Sequence, residues 1–397
     1  MTRSRSVTSR HAAGFSLVEI LVAMVIGLIA TLVVMQVFFG SEARGRTASG
    51  NADAQSNGVM TFYQLQSHIQ KAGYGLDSIG LYNCLVSWTP AAGTAIDKSI
   101  TLAPVTINPV GTKAGVKSLL LPAGDANTDT LLVVYGNGNG QPQGNPIIDS
   151  AALVYTMQMP GSFAIGDRVI LALGTAPDTC GATVLNIDRV AAVDATSVTL
   201  VTGGAGVAMF NLGKGPNGVN VTPSSTNPSN GPTILAYAVR NGNLTACDFT
   251  VHDCSLAANA NLTTVWVPIA NNIVSMRATY WNDTSVAWDG SSSTSNQTQP
   301  TTACLWAKVK AVSLVMVARN AERDKNLVTT TTLDGVSAAD ANMPVWDQDA
   351  VAPLVASTGA LGPNTTADEE WKYYRYKTFQ ALIPLRNVNW MGRPTGC

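Results

Sequence analysis

Read as apolar and polar positions, the chain changes character near residue 40. Residues 1–14, MTRSRSVTSRHAAG, carry Arg3, Arg5 and Arg10 and no acid. An apolar run of 25 residues follows, Phe15 to Phe39, with Glu19 as its one charge. As a helix this run is roughly 37 Å long, enough to cross a hydrocarbon core of about 30 Å. The next stretch, SEARGRTASGNADAQSNG, is polar. Its Gly45, Gly50 and Gly58 each cost roughly 1 kcal/mol against alanine in a helix interior, so it is expected to bend or melt. Val59, Phe62, Leu65, Ile69 and Ala72 then recur every three or four residues, the spacing of an amphipathic helix face. Gly73 and Gly75 supply the stop.

Past Gly75 the pattern predicts no further long helix. Strand candidates bounded by turn residues take its place: 129–136, 167–174, 196–203, 233–242, 275–281, 308–319 and 374–387. The regions 136–147 and 213–232 between them are rich in Pro, Gly and Asn, and 289–303 is low in complexity and read as an exposed loop. The expected fold class is α+β, a long N-terminal transmembrane and spine helix followed by a large antiparallel β-rich head. The boundaries are a leader at 1–14, the helix at 15–75 and the head at 76–397, with room for an inserted subdomain near 140–230.

Composition agrees with a β-rich head. Only 12% of the 397 residues are charged, about half the roughly 25% of an average soluble domain. Uncharged Thr, Ser, Asn and Gly replace the missing charge, and these favour strands and turns over exposed helices. The net charge of −1 and the lack of a long Lys/Arg cluster leave no electrostatic footprint for nucleic acid. The 46% hydrophobic content excludes a disordered chain. Six cysteines, Cys84, Cys180, Cys247, Cys254, Cys304 and Cys397, are scattered without a C-x-x-C pair, which suits structural disulfides in an oxidising compartment. Spacing leaves 15 connectivities open. The one local candidate is Cys247–Cys254, across the spacer DFTVHD. His252 in that spacer raises a zinc reading, for which a fourth ligand is not apparent.

The basic leader before an apolar run predicts a cytoplasmic N-terminus and an exported head. A secretory signal peptide has a shorter apolar core followed by small residues at its cleavage site. Here the core is longer, and Ala12, Ala13 and Gly14 precede it. A plain signal anchor accounts for length and orientation and leaves Glu19 unexplained. A carboxylate inside an apolar helix is costly unless paired.

The order GFSLVEILVAMVIGL, with Gly14, Phe15 and Glu19 in these places, resembles the type IV pilin and pseudopilin signature. The resemblance implies cleavage between Gly14 and Phe15 by a prepilin peptidase and methylation of the new Phe15 amine. It also implies assembly in which Glu19 of one helix neutralises the Phe15 amine of another. Loss of the leader leaves 21 basic against 25 acidic residues, a net charge of −4. The segments GYGL, DTLLVVYG, TILAYAVRNGNL, NNIVSMRATYW, KVKAVSLVMVARN and YRYKTFQALIPLRN are similar to minor pilins of the PilW type, relatives of the J-type pseudopilins of type II secretion.

Other motifs are weaker. His68 and His252 are the histidines left after leader removal, and no G-x-S-x-G elbow occurs, so the chain is not expected to be an enzyme. The GNGNG run does not open a helix, and the phosphate-loop reading fails on context. Asp125, Asn127 and Asp129 resemble the start of a calcium loop, but Thr130 and Gly136 stand where Gly and Glu are needed. The tryptophans are read as packing residues, with a carbohydrate patch at Trp281 and Trp288 as the alternative. No cofactor and no metal are expected.

The resemblance implies a minor pilin that takes part in initiating pilus assembly in a priming or tip complex. The implied partners are other minor pilins, the major pilin, the inner-membrane assembly platform, the prepilin peptidase and the inner membrane itself. The implied location is a single pass with the head in the periplasm, then the pilus. A tip-exposed adhesin and a type II secretion pseudopilin are the alternatives.

Overall fold

The apolar run forms helix because almost none of its side chains competes with the backbone for hydrogen bonds. Thr31 satisfies its own hydroxyl by donating to the Leu28 carbonyl at 2.8 Å. The computed structural model describes residues 16–76, 81–88, 99–109, 112–113, 116–117, 121–136, 144–174, 180, 184–213, 232–285, 291–330, 337, 342–346, 370–390 and 397. The chain divides into two compact units, Met1–Ala52 and Asp53–Cys397. Helix α1, Leu17–Lys71, supplies the described part of the first and the opening element of the second.

Within the second unit, β1 is Leu85–Ser87, β2 Ile100–Thr101, β3 Val105–Ile107, β4 Thr112–Lys113, β5 Val116–Lys117 and β6 Leu131–Tyr135. They are followed by β7 Asn145–Ala151, β8 Val154–Met157, β9 Arg168–Ala172, β10 Val184–Val193, β11 Ser197–Leu200 and β12 Ala208–Gly213. Then come β13 Thr233–Arg240, β14 Asn243–Asp248, β15 Val267–Ala270, β16 Ile273–Asp283, β17 Ser293–Asn296, β18 Val309–Arg319 and β19 Tyr376–Pro384. Two short helices, α2 Ala303–Ala307 and α3 Arg386–Trp390, flank the last two long strands.

One five-stranded sheet runs β15-β14-β13-β6-β3, and a four-stranded sheet runs β17-β16-β18-β19. All their pairings are antiparallel. Phe62, Leu65 and Ile69 of α1, and Ala72 just past its end, enter one buried cluster with Val105, Leu132, Val134, Tyr237, Met276 and Leu314 from these sheets. Burying an apolar face against a sheet is what stabilises this part of α1, since helix propensity alone does not.

The strands from β7 to β12 close on themselves. β7 pairs β8, β8 pairs β11, β11 pairs β10, β10 pairs β9, β9 pairs β12, and β12 returns to β7. This antiparallel barrel has its own core of Tyr155, Met157, Phe163, Val169, Leu171, Val190, Val198, Leu200 and Met209. Closure leaves no unpaired edge. Strand β1 joins β10 in parallel, Leu85 opposite Val184.

Two sequence expectations change here. The polar stretch 41–58 does not break the helix. Gly58 is instead the point where α1 meets β19: a Cβ at this position would lie 2.6 Å from Cζ of Phe379. Glycine's propensity cost is offset by this close helix–sheet approach. The region 289–303 is not wholly loop, because β17 pairs with β16 from Tyr280–Asn296 to Asp283–Ser293.

The Gly58 contact predicts a mutational result. Gly58→Ala gains roughly 1 kcal/mol of helix propensity but overpacks against the Phe379 ring at a cost of about 1–3 kcal/mol. A net loss of stability is expected, and Phe379→Leu in the same chain should recover much of it. Denaturant unfolding of the four proteins of this cycle measures the coupling. Strictly additive effects would show that the ring is not the obstacle.

Candidate functional site

The site with the most distinctive chemistry is the start of α1. Gly14 and Phe15, the expected cleavage and methylation positions, lie outside the described residues. Ser16 opens the helix, its carbonyl accepting from the N–H groups of Glu19 at 3.0 Å and Ile20 at 3.2 Å. Glu19 therefore stands in the first turn, where the unpaired N–H groups of the helix favour a carboxylate. Its side chain is exposed.

Around and beyond Glu19 the helix is apolar on every side. Leu17–Phe38, 22 residues, is long and apolar enough to cross a membrane, and none of it is buried within the chain. Leu17, Met24, Leu28 and Phe38 are each exposed by more than 60%. A helix hydrophobic all round requires an apolar surrounding, either lipid or other helices. In either setting the Glu19 carboxylate needs a cationic or hydrogen-bonding partner.

The head places the remaining sequence candidates in structural roles. Asp125 accepts from the N–H groups of Asn241 at 2.9 Å and Gly242 at 2.7 Å, clamping the β13–β14 turn. Both turn residues have positive φ, 51° and 69°, and the clamp holds them there. Asp129, 4% exposed, accepts from Asn108 Nδ2 at 2.7 Å, the Ala278 N–H at 2.9 Å and Gln297 Nε2 at 2.6 Å. Arg277 Nε lies 3.4 Å from the same carboxylate. The two aspartates of the calcium-like motif are thus committed to joining strands. Among the described residues no three His, Cys, Asp or Glu side chains gather where a metal ion would be held.

Three disulfides join Cys84 to Cys180, Cys247 to Cys254 and Cys304 to Cys397. The zinc reading of Cys247 and Cys254 is overturned, since sulfurs bonded to each other are not thiolate ligands. Trp266 and Trp306 are fully buried, and Trp266 lies under the Arg240 guanidinium at 4.4 Å. Trp281 is half-buried on β16, and Trp288, its partner in the carbohydrate reading, lies outside the described residues.

His68 faces the five-stranded sheet. Its Nδ1 is 2.9 Å from the Tyr135 hydroxyl, and the Tyr237 ring stands edge-on with its centroid 6.2 Å away. Burial first, and the neighbouring Lys71 charge second, hold the imidazole below its ordinary pKa. Burial likewise raises both phenols.

Sequence reading missed two features that fix α1 to the head. Asn387 Nδ2 donates to the Lys71 and Ala72 carbonyls at 3.1 and 3.0 Å, capping the helix end from α3. Gly73 has φ 80° and donates its N–H to Val134 at 2.9 Å. The glycine was visible as a stop signal, while the distant asparagine carried no local signal at all.

Residues 9–35 fit the family model described as the prokaryotic N-terminal methylation motif. No curated protein and no solved structure matches the chain. The motif and the apolar helix behind it support a type IV pilin-like or pseudopilin-like protein.

Proposed function

We propose that this chain is a minor pilin, a structural subunit and not an enzyme, that takes part in initiating type IV pilus assembly. A prepilin peptidase cuts between Gly14 and Phe15, and the new Phe15 amine is methylated. The apolar helix stays in the inner membrane with its N-terminus cytoplasmic and the disulfide-bonded head in the periplasm. On assembly with other minor pilins and the major pilin, the Glu19 carboxylate meets a neighbouring subunit's N-terminal amine. The observation that carries this reading is the exposed, largely apolar Leu17–Phe38 helix with Glu19 in its first turn, overlapping the methylation motif at residues 9–35.

The physical logic is a charge pairing that works only between subunits. In lipid the amine sits near the cytoplasmic edge, where water is within reach. In a bundle of apolar helices both charges are desolvated, and either one alone costs several kcal/mol. Register is then set by the requirement that they meet.

Two measurements test this. The intact mass of the protein from native membranes should correspond to a chain starting at Phe15 with one added methyl group. Glu19→Leu should leave processing intact and reduce recovery in sheared filaments on the order of a hundredfold, the equivalent of about 3 kcal/mol. A chain that keeps residues 1–14 while the peptidase is active would overturn the reading. A deletion strain with normal pili and lost exoprotein secretion would move the chain to the pseudopilins of a secretion system.

A further inference from the structure

The contact between His68 and the five-stranded sheet has the composition of a proton-sensitive joint. The Tyr135 hydroxyl lies 2.9 Å from His68 Nδ1, and in the neutral tautomer with its proton on Nε2 the ring accepts from that hydroxyl. Tyr135 also hydrogen-bonds the Thr233 side chain at the start of β13. The rings of Tyr135 and Tyr237 flank the imidazole at 6.0 and 6.2 Å between centroids. His68 is half-buried, one helical turn before the end of α1.

The ionisable groups around it come from each packed element: Lys71 from α1, Tyr135 from β6 and Tyr237 from β13. Asp248 of β14 acts on the two phenols. Lys71 opposes a second positive charge, and neither phenol offers a negative one near neutral pH.

We propose that His68, Tyr135 and Tyr237 form a pH-sensitive latch that holds the last turns of α1 on the β6–β13 face when His68 is neutral and loosens them when it is protonated. Protonation makes Nδ1 a donor, so the Tyr135 hydroxyl loses its acceptor on the ring and keeps the contact only by rotating its proton away and accepting instead. It also leaves a cation half-buried beside Lys71. The ring relieves both by moving toward water, and the helix end moves with it. The sign follows from linkage. Burial lowers the folded-state value below 6.5, so the unfolded or open chain takes the proton first as pH falls. The latch is complete above pH 6.5 and is lost as pH falls through the lower folded-state value.

The test uses the full chain in detergent micelles with isotope-labelled histidine. His68→Gln assigns the His68 signal among the 3 histidines and keeps an acceptor for Tyr135. The His68 midpoint should lie below 6.5, and Tyr135→Phe should raise it. Amide exchange across residues 59–76 should match in wild type and His68→Gln at pH 7.5. At pH 5.5 it should be faster in wild type, by up to about tenfold for each unit by which the midpoint is lowered. A midpoint at or above 6.5, or the same pH response in His68→Gln, would overturn the latch. These readouts come from the purified chain, so their failure leaves the assembly reading untouched, and unprocessed leader leaves the latch untouched.

Discussion

Replacing Cys84 and Cys180 together by alanine is expected to lower the stability of the head by about 2–5 kcal/mol. The two cysteines are 96 residues apart in sequence, and both are buried. In the chain-entropy picture a loop of that length lies near the upper end of disulfide stabilisation, about 4.7 kcal/mol for 100 residues. The bond also has a specific mechanical place. Cys84 immediately precedes β1, and Cys180 lies between β9 and β10 of the barrel. Besides this bond, the parallel β1–β10 ladder joins the same two segments over three residue pairs. Denaturant unfolding under oxidising and reducing conditions gives the measurement. The double variant should be indifferent to reductant at this bond, and its midpoint should fall while its slope rises, because the denatured chain without the crosslink exposes more surface. A loss below about 0.5 kcal/mol would mean that the β1–β10 ladder and its packing hold the barrel without help.

Asp129→Ala is the second large effect, with an expected loss of about 3–5 kcal/mol. The carboxylate stands just before β6 and reaches across to β16, accepting the Ala278 N–H. Its own N–H donates to the Met276 carbonyl at 2.8 Å. Asn108, Gln297 and Arg277 converge on it as well. Removing the oxygens takes away Arg277's partner in this ion pair and strips a buried strand N–H of its acceptor. Each buried polar group left without a partner costs about 1–3 kcal/mol. Asp129→Asn separates charge from shape. It turns one oxygen into a donor facing other donors, so it should also destabilise, by less than alanine. Thermal unfolding of both variants decides the point. An asparagine variant as stable as wild type would show that the negative charge contributes nothing.

How much of this was legible in advance depends on where each signal lives. The strand segments read from sequence fall on β6, β9, β11, β13, β16, β18 and β19. All contain several Val, Leu, Ile or aromatic residues, and apolar burial holds most of them, while β19, with only Ile383 buried, is held by its nine-pair ladder to β18. Several of the strands passed over carry a diluted pattern, and others, such as β3, are too short to show one. β7 begins Asn-Pro and has exposed positions along most of its length. β10 contains Asp188 and Arg189, and Asp188 turns inward to cap the Thr202 and Gly203 N–H groups. β17, STSN, has no apolar residue. It is held by its ladder to β16 and by Thr279 and Ser295, whose hydroxyls are 2.6 Å apart. Such strands are stabilised by neighbours distant in the chain, which no local window contains.

The division is sharpest between the two ends of α1. The apolar run with Glu19, overlapping the methylation motif at residues 9–35, was legible because length, charge and hydrophobicity suffice to describe a segment whose surroundings are uniformly apolar. The sequence by itself also determined that the rest would be β-rich, low in charge and rich in scattered cysteines. The local spacing pointed to Cys247–Cys254, while only the tertiary structure decided how the other four cysteines pair, that β7 to β12 close into a barrel, and that Gly58 admits the Phe379 ring. It alone brought Tyr135 to His68 and Asn387 to the end of α1. These are pairings across tens to hundreds of residues, set by packing and by the need to satisfy each buried polar group, and neither condition is written at any one position.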